Sequence, residues 1–196
     1  MASPTTYQRV TTDSDYDGDP AKFPYYLKFD GVDDYLSTAA IDLTWTDKVT
    51  VFCGIYKGAL AEQVVFELSE NSNTQAGSVL VTQSYTGVSR GSAIPNASHA
   101  SSNTVAVGST SVVTFQAEIS ADFNSLRVNG VNGTDATGDQ GTGNYGNWPQ
   151  FIGARSGPSL PFNGNLYSFI IGGALYDAAT VIEAETWVAD KTGVTL

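Results

Sequence analysis

Tyr26-Leu27-Lys28-Phe29-Asp30-Gly31-Val32-Asp33-Asp34-Tyr35-Leu36 decides how the rest of the chain is read. Two short aromatic and aliphatic runs, Tyr25–Asp30 and Tyr35–Thr38, flank an Asp-Gly turn, and such runs bounded by turn residues read as strands. Downstream, Lys48–Lys57 alternates cleanly. Val49, Val51, Cys53 and Ile55 fall on one face, and Thr50, Phe52 and Tyr56 on the other, the period of two that marks a strand. The same reading predicts strands at Val64–Leu68, Ser78–Gln83, Val88–Ala93, Thr104–Val107, Val112–Ile119, Ser125–Val128, Gln150–Gly153 and Leu166–Gly172. Gly, Asn, Asp and Pro separate nearly all of them.

One helix is expected, at about 178–191. Asp177 is a suitable N-cap, and Val181, Ala184, Trp187 and Val188 recur at helical spacing. Lys191 sits in the last turn and Gly193 can close the end. Leu166–Ile171 carries apolar residues on both faces, so it belongs in the middle of a sheet with the helix as its second cover. The fold expected is all-β: a two-sheet antiparallel β-sandwich of jelly-roll type with one short C-terminal helix. Residues 1–24 read as an N-terminal arm or loop, and residues 25–196 as the sandwich domain.

Composition agrees. Of 196 residues, 41% are hydrophobic but only 15% are charged, well under the usual quarter. Gly, Ser, Thr and Asn fill the difference, as tight turns between short strands require. The net charge of −11 repels phosphate backbones and anionic bilayers, so neither nucleic acid nor a membrane is expected as a partner. No apolar run reaches the length of a membrane span, and MASPTTYQRV at the start lacks the apolar core of a signal peptide. Cys53 is the one cysteine, which excludes an intrachain disulfide and fits a reducing compartment. Its place in an alternating run makes it a small core residue rather than a nucleophile.

Several of these stretches resemble laminin G-like, concanavalin A-like domains. Phe29-Asp30-Gly31-Val32-Asp33-Asp34-Tyr35-Leu36 is similar to their opening strands, and Ser125-Leu126-Arg127-Val128-Asn129-Gly130 to a hairpin they share. Phe151-Ile152-Gly153-Ala154 with Phe162-Asn163-Gly164-Asn165-Leu166-Tyr167 resembles their late strand pair, and Gly193-Val194-Thr195-Leu196 the tail of phage and bacterial members. The resemblance spans residues 25–196. It implies a non-catalytic structural domain of a phage virion (tail fibre, receptor-binding or capsid decoration), one that can bind host-surface glycans. Its partners would be other virion proteins, copies of itself in a homo-oligomer, and those glycans. The alternative is a carbohydrate-binding module of a secreted or surface bacterial protein. The family also includes glucanases, whose catalytic strand sets carboxylates at alternating positions. Glu67 and Glu70 have the wrong spacing and Glu183 and Glu185 lie on the helix, so no enzyme is expected.

For glycan binding, an aromatic face with polar neighbours is the pattern sought. Tyr145 and Trp148 with Asn144 and Asn147 supply it within the Gly- and Asn-rich stretch 133–147, which reads as a long exposed loop. Tyr85 and Arg90 supply it at a hairpin. Trp148 can equally cap the core, and Trp45 and Trp187 are expected inside it. His99 reads as an exposed loop residue. Calcium is the cofactor considered. Asp13, Asp15, Asp17 and Asp19 with Gly18 match the first half of a calcium loop, but Pro24 stands where its bidentate Glu belongs, so a solvated acidic loop is the competing reading. Asp30, Asp33 and Asp34 read first as turn residues.

Overall fold

A computed structural model of the chain describes residues 7–8, 25–59, 62–83, 86–91, 98–101, 106–157 and 159–196. Two antiparallel sheets face each other. The strands in chain order are β1 (Tyr7–Gln8), β2 (Tyr26–Asp30), β3 (Leu36–Asp42), β4 (Lys48–Lys57), β5 (Val64–Leu68), β6 (Ser78–Thr82), β7 (Thr86–Arg90), β8 (Ser98–Ser101), β9 (Thr110–Glu118), β10 (Phe123–Val128), β11 (Val131–Asn132), β12 (Asn147–Ile152) and β13 (Asn163–Gly172). They are followed by helix α1 (Ala178–Thr192). One sheet has the order β1-β2-β13-β4-β9-β10-β11, the other β3-β12-β5-β6-β7-β8.

The opening stretch does not form a hairpin. β2 joins the first sheet and β3 the second, so the Asp30-Gly31 turn, with Gly31 at φ 79°, carries the chain across the sandwich. The Asn129-Gly130 turn does close a hairpin. Both residues take positive φ, 50° and 74°, and Val128 pairs with Val131, the geometry that matches the twist of flanking strands. Tyr7–Gln8, inside the segment read as an arm, adds an edge strand to β2. The strand expected at Thr104–Val107 is not formed over its described part. Val107 lies in a turn, and the neighbouring strand is β8, which pairs with β7 and takes in His99.

Period-two burial builds the main core. Val49, Val51, Cys53 and Ile55 of β4 share one buried cluster with Phe66, Leu68, Val79 and Val81 of the opposite sheet, joined by Phe115 and Leu126 of the first sheet and by Phe162. Burying each such side chain stabilises the fold by roughly 1.5–3 kcal/mol. Cys53 is 1% exposed, and burial pushes its thiol up to about 12. The other face of the first sheet is covered by α1, which touches β4, β9 and β13. This is the second cover that the doubly apolar β13 requires.

α1 keeps both expected caps. Asp177 accepts a hydrogen bond from the Thr180 N–H at 2.8 Å, and Gly193 ends the helix at φ 72°. Its buried positions are Val181, Glu185, Val188, Ala189 and Thr192. Trp187 is therefore on the outer face, 48% exposed, with the Lys191 ammonium 5.3 Å from its ring centre. This corrects the expectation that it is core. Glu185 sits in the apolar stripe because Arg127 and the Thr114 hydroxyl meet its carboxylate, both through Oε1 at 2.8 and 2.9 Å. Trp45 is corrected likewise. It stands in the turn after β3, 68% exposed, with its indole N–H donating to the Asp42 carbonyl at 3.0 Å. No helix among the described residues is long and apolar enough to cross a membrane.

Candidate functional site

The helix covers one sheet only, so the outward face of the second sheet is where a site can form. Alternate residues of its strands point there. Leu80 turns away from the core that Val79 and Val81 fill, and packs with Val64 and Val88 in a separate apolar cluster. Register extends this face. Glu67 lies opposite Leu80 and Phe151, while Leu80 pairs with Val88 and Ser78 with Arg90.

Leu80, Val88 and Arg90 from this face line a groove of about 260 Å³. Val64, Leu80, Val88 and Leu160 make an apolar floor. Its polar edge carries Arg90, Arg155, Ser72, Asn73, Thr82 and Glu62. An apolar surface ringed by a few placed polar groups is the usual form of a small-ligand site. Leu160 takes φ 50°, its carbonyl accepting from the Val64 N–H at 2.9 Å.

A buried ion pair fixes one of the two cations. Glu67 is 0% exposed. Its carboxylate accepts from the Ser69 hydroxyl at 2.8 Å, the Ser72 N–H at 2.7 Å and the Ser156 N–H at 3.1 Å. The Arg155 guanidinium completes its shell at 3.4 and 3.5 Å and also donates to the Ser72 hydroxyl at 2.9 Å. Charge-assisted bonds of this kind hold a side chain in one place. The loop that brings Ser72 and Asn73 to the edge is ordered too. The Gln75 side-chain carbonyl accepts from the Glu70 and Asn71 N–H groups at 2.6 and 3.0 Å. Arg90 is the second cation, mostly buried on β7. Burial, and next the nearby charge of Arg155, hold its pKa below the usual guanidinium value.

The residues singled out in the sequence lie elsewhere. Tyr145 is 1% exposed, with its hydroxyl 2.7 Å from the Ser89 hydroxyl, and burial drives its pKa upward. Its ring belongs to the core and offers no face to a ligand, which corrects its assignment to a site; the stretch 133–147 around it is otherwise largely exposed, with Gln140 the other buried residue. Trp148 is half-buried against the core, with its indole N–H donating to the Ala76 carbonyl at 3.1 Å. Asn144 is exposed but pinned to the Thr44 carbonyl at 2.7 Å, beside the turn that carries Trp45. Asn147 is exposed at the start of β12. The set is thus split between core and rim. Of the second pair, Arg90 lines the groove and Tyr85 lies outside the described residues. So do Asp13, Asp15, Asp17 and Asp19. Asp30, Asp33 and Asp34 bring carboxylate oxygens within 4.8 Å of one another and could face a divalent cation. Two of them also brace the turn: Asp34 accepts from the Asp30 N–H at 3.2 Å and Asp30 from the Val32 N–H at 2.8 Å.

Arg155 and Glu67 were missed as site residues. They are 88 positions apart, and no local pattern joins them. A second cavity, of about 290 Å³, lies among Tyr26, Leu27, Leu36, Ile152, Tyr167 and Phe169. It is almost wholly apolar and offers little for a polar ligand.

No protein-family model and no curated protein sequence matches the chain. Solved structures do. A heptameric SAP-like pentraxin from Limulus polyphemus superposes with a TM-score of 0.60 at 14% identity, over 79% of this chain and 78% of the pentraxin. The CBM40 module of the Ruminococcus gnavus IT-sialidase, bound to α2,3-sialyllactose, gives 0.53 at 12% identity, over 76% of this chain and 97% of the module. Domains LG4-5 of the mouse laminin α1 chain give 0.54 at 11% identity, over 74% of this chain and 40% of that fragment. At these identities the likeness is one of fold: the chain is built on the concanavalin A-like jelly roll.

Proposed function

We propose that this domain is a non-catalytic glycan-binding module and that the groove on the outer face of β5, β6 and β7 is its site. The observation that carries this is the groove itself. An apolar floor suits the C–H face of a sugar ring, and hydroxyl, amide and guanidinium groups around it suit ring hydroxyls. Its volume of about 260 Å³ has room for about one sugar, below the range typical of larger ligands. The fold supports the reading, since a jelly roll of this shape holds α2,3-sialyllactose in the Ruminococcus gnavus module. A non-catalytic role is supported by the engagement of Glu67 on β5 and of Glu70 in the bend just after it. Glu67 is sealed by its donors, and Glu70 accepts from the Gln75 amide at 3.3 Å.

A single shallow site binds weakly, and display in several copies raises the effective concentration. We propose the phage particle as that setting, on the sequence resemblance. Calcium, held by Asp13, Asp15, Asp17 and Asp19, is proposed on the spacing of those residues. A glycan array probed with a multimerised domain tests the module directly. Binding that falls on substituting Leu80 by Asp supports it, and an array with no bound glycan refutes it. Association of the native protein with phage particles tests the setting. A melting temperature that rises between excess EGTA and millimolar calcium tests the ion.

A further inference from the structure

We infer that the groove selects a sugar carrying a methyl group, as an N-acetyl or a 6-deoxy sugar does, with that methyl set on the aliphatic floor. This rests on the glycan-binding reading and names the class of sugar within it. Val64, Leu80 and Val88 form an apolar cluster apart from the main core, and the same three line the groove together with Leu160. Each of the three is 9% exposed or less, so the apolar area they leave open is small. It suits a methyl group better than the whole face of a ring. Leu160, 43% exposed, supplies the broader apolar flank. It does so at φ 50°, a left-handed conformation that a bulky side chain disfavours and a glycine takes freely. What a leucine adds at that position is its side chain in the groove.

The chemistry of the floor decides between a methyl and a hydroxyl. Its valine and leucine side chains carry no hydrogen-bonding atom, and its strand backbone is already paired. Leu80 lies between Glu67 and Val88 in the ladders with β5 and β7, and the Val64 N–H is given to the Leu160 carbonyl. A hydroxyl pressed onto this surface loses its water and finds no partner, which is unfavourable. A methyl group has no hydrogen bond to lose and gains the apolar contact. Partners for hydroxyls stand at the edge instead. Ser72 and Asn73 line it, on the loop that the Gln75 side chain orders. The groove thus divides one sugar, with the methyl on the floor and the ring hydroxyls toward the edge.

The test is NMR titration of the whole domain with sugars paired so that a hydroxyl replaces one hydrogen of the methyl. L-Rhamnose is set against L-mannose and L-fucose against L-galactose, which report a 6-deoxy source. N-acetylglucosamine and α2,3-sialyllactose are each set against the N-glycolyl form, which reports an N-acetyl source. At least one methyl sugar is expected to bind roughly five- to fiftyfold more tightly than its counterpart. Val88→Thr, which keeps the branched shape and puts a hydroxyl on the floor, should shrink that ratio severalfold. Leu160→Gly removes the apolar flank and relaxes the backbone, so the weaker binding expected of it is no folding defect. Equal affinities within every pair, or a ratio that Val88→Thr leaves unchanged, would overturn the inference and leave the glycan reading standing. Failure of every sugar to bind would overturn both.

Discussion

Replacing Arg155 by Met exposes what the buried pair does. Glu67 is 0% exposed, and two serine N–H groups, one serine hydroxyl and the Arg155 guanidinium satisfy its carboxylate. Removing the guanidinium leaves a buried negative charge without its cation, a loss of about 3–5 kcal/mol where such pairs have been broken. For a domain of this size the melting temperature should fall by roughly 6–20 °C. The informative variant is the double one, Glu67→Gln with Arg155→Met. It keeps an oxygen for the serine donors and removes both charges. It should therefore be more stable than Arg155→Met alone, by at least about 1 kcal/mol of coupling. Urea unfolding followed by circular dichroism measures all four corners of the cycle. A loss below about 1 kcal/mol for Arg155→Met would refute the reasoning, because surface pairs are worth no more than that. A second substitution that deepens the loss would refute it too.

Gly54 sits mid-strand where α1 docks, and an added Cβ would lie 2.2 Å from the Thr192 methyl. Gly54→Ala should cost about 1–3 kcal/mol in chemical denaturation, with part of the loss restored by Thr192→Ser. Cys53, buried with its thiol pushed up to about 12, should stay unreactive toward a disulfide reagent at neutral pH until the domain unfolds, which a stopped-assay thiol count would show. Acid stability should track three carboxyls held below the ordinary value of 3.8: Asp42 by the Thr44 hydroxyl, Asp47 by the Ser120 hydroxyl and then Lys48, and Asp177 by the Thr180 N–H. Their contribution is complete above the ordinary value and disappears as pH falls through the lowered ones. Asp47→Asn should therefore flatten the acid limb of a stability–pH curve, and an unchanged limb would count against this.

Strands and helix were legible because their signals are local. Alternation over Lys48–Lys57 needs only neighbouring residues, as do the Asp177 and Gly193 caps. The site was only partly legible because its parts meet through register. Arg90 was picked out beside Tyr85, but the groove it lines is completed by Arg155, which arrives from the loop after β12 and is paired with Glu67 on β5. Tyr145 misled for the same reason. A single aromatic in a Gly- and Asn-rich stretch carries no periodicity, so nothing local shows that it turns inward to Ser89. Trp45 and Trp187 reverse the error: large apolar side chains read as core, while a tight turn and an outer helix face hold them in solvent. In α1 the acidic Glu185 occupies the buried stripe, and only the distant Arg127 explains it.

Backbone and arginine Nε NMR titration of the intact domain with α2,3-sialyllactose tests the central claim most directly. The account predicts shifts concentrated at Arg90, Arg155, Ser72, Asn73, Leu80 and Thr82, with Trp45, Asn144 and α1 unmoved. Shifts confined to the Trp45–Asn144 rim, or none at saturating sugar, would contradict it.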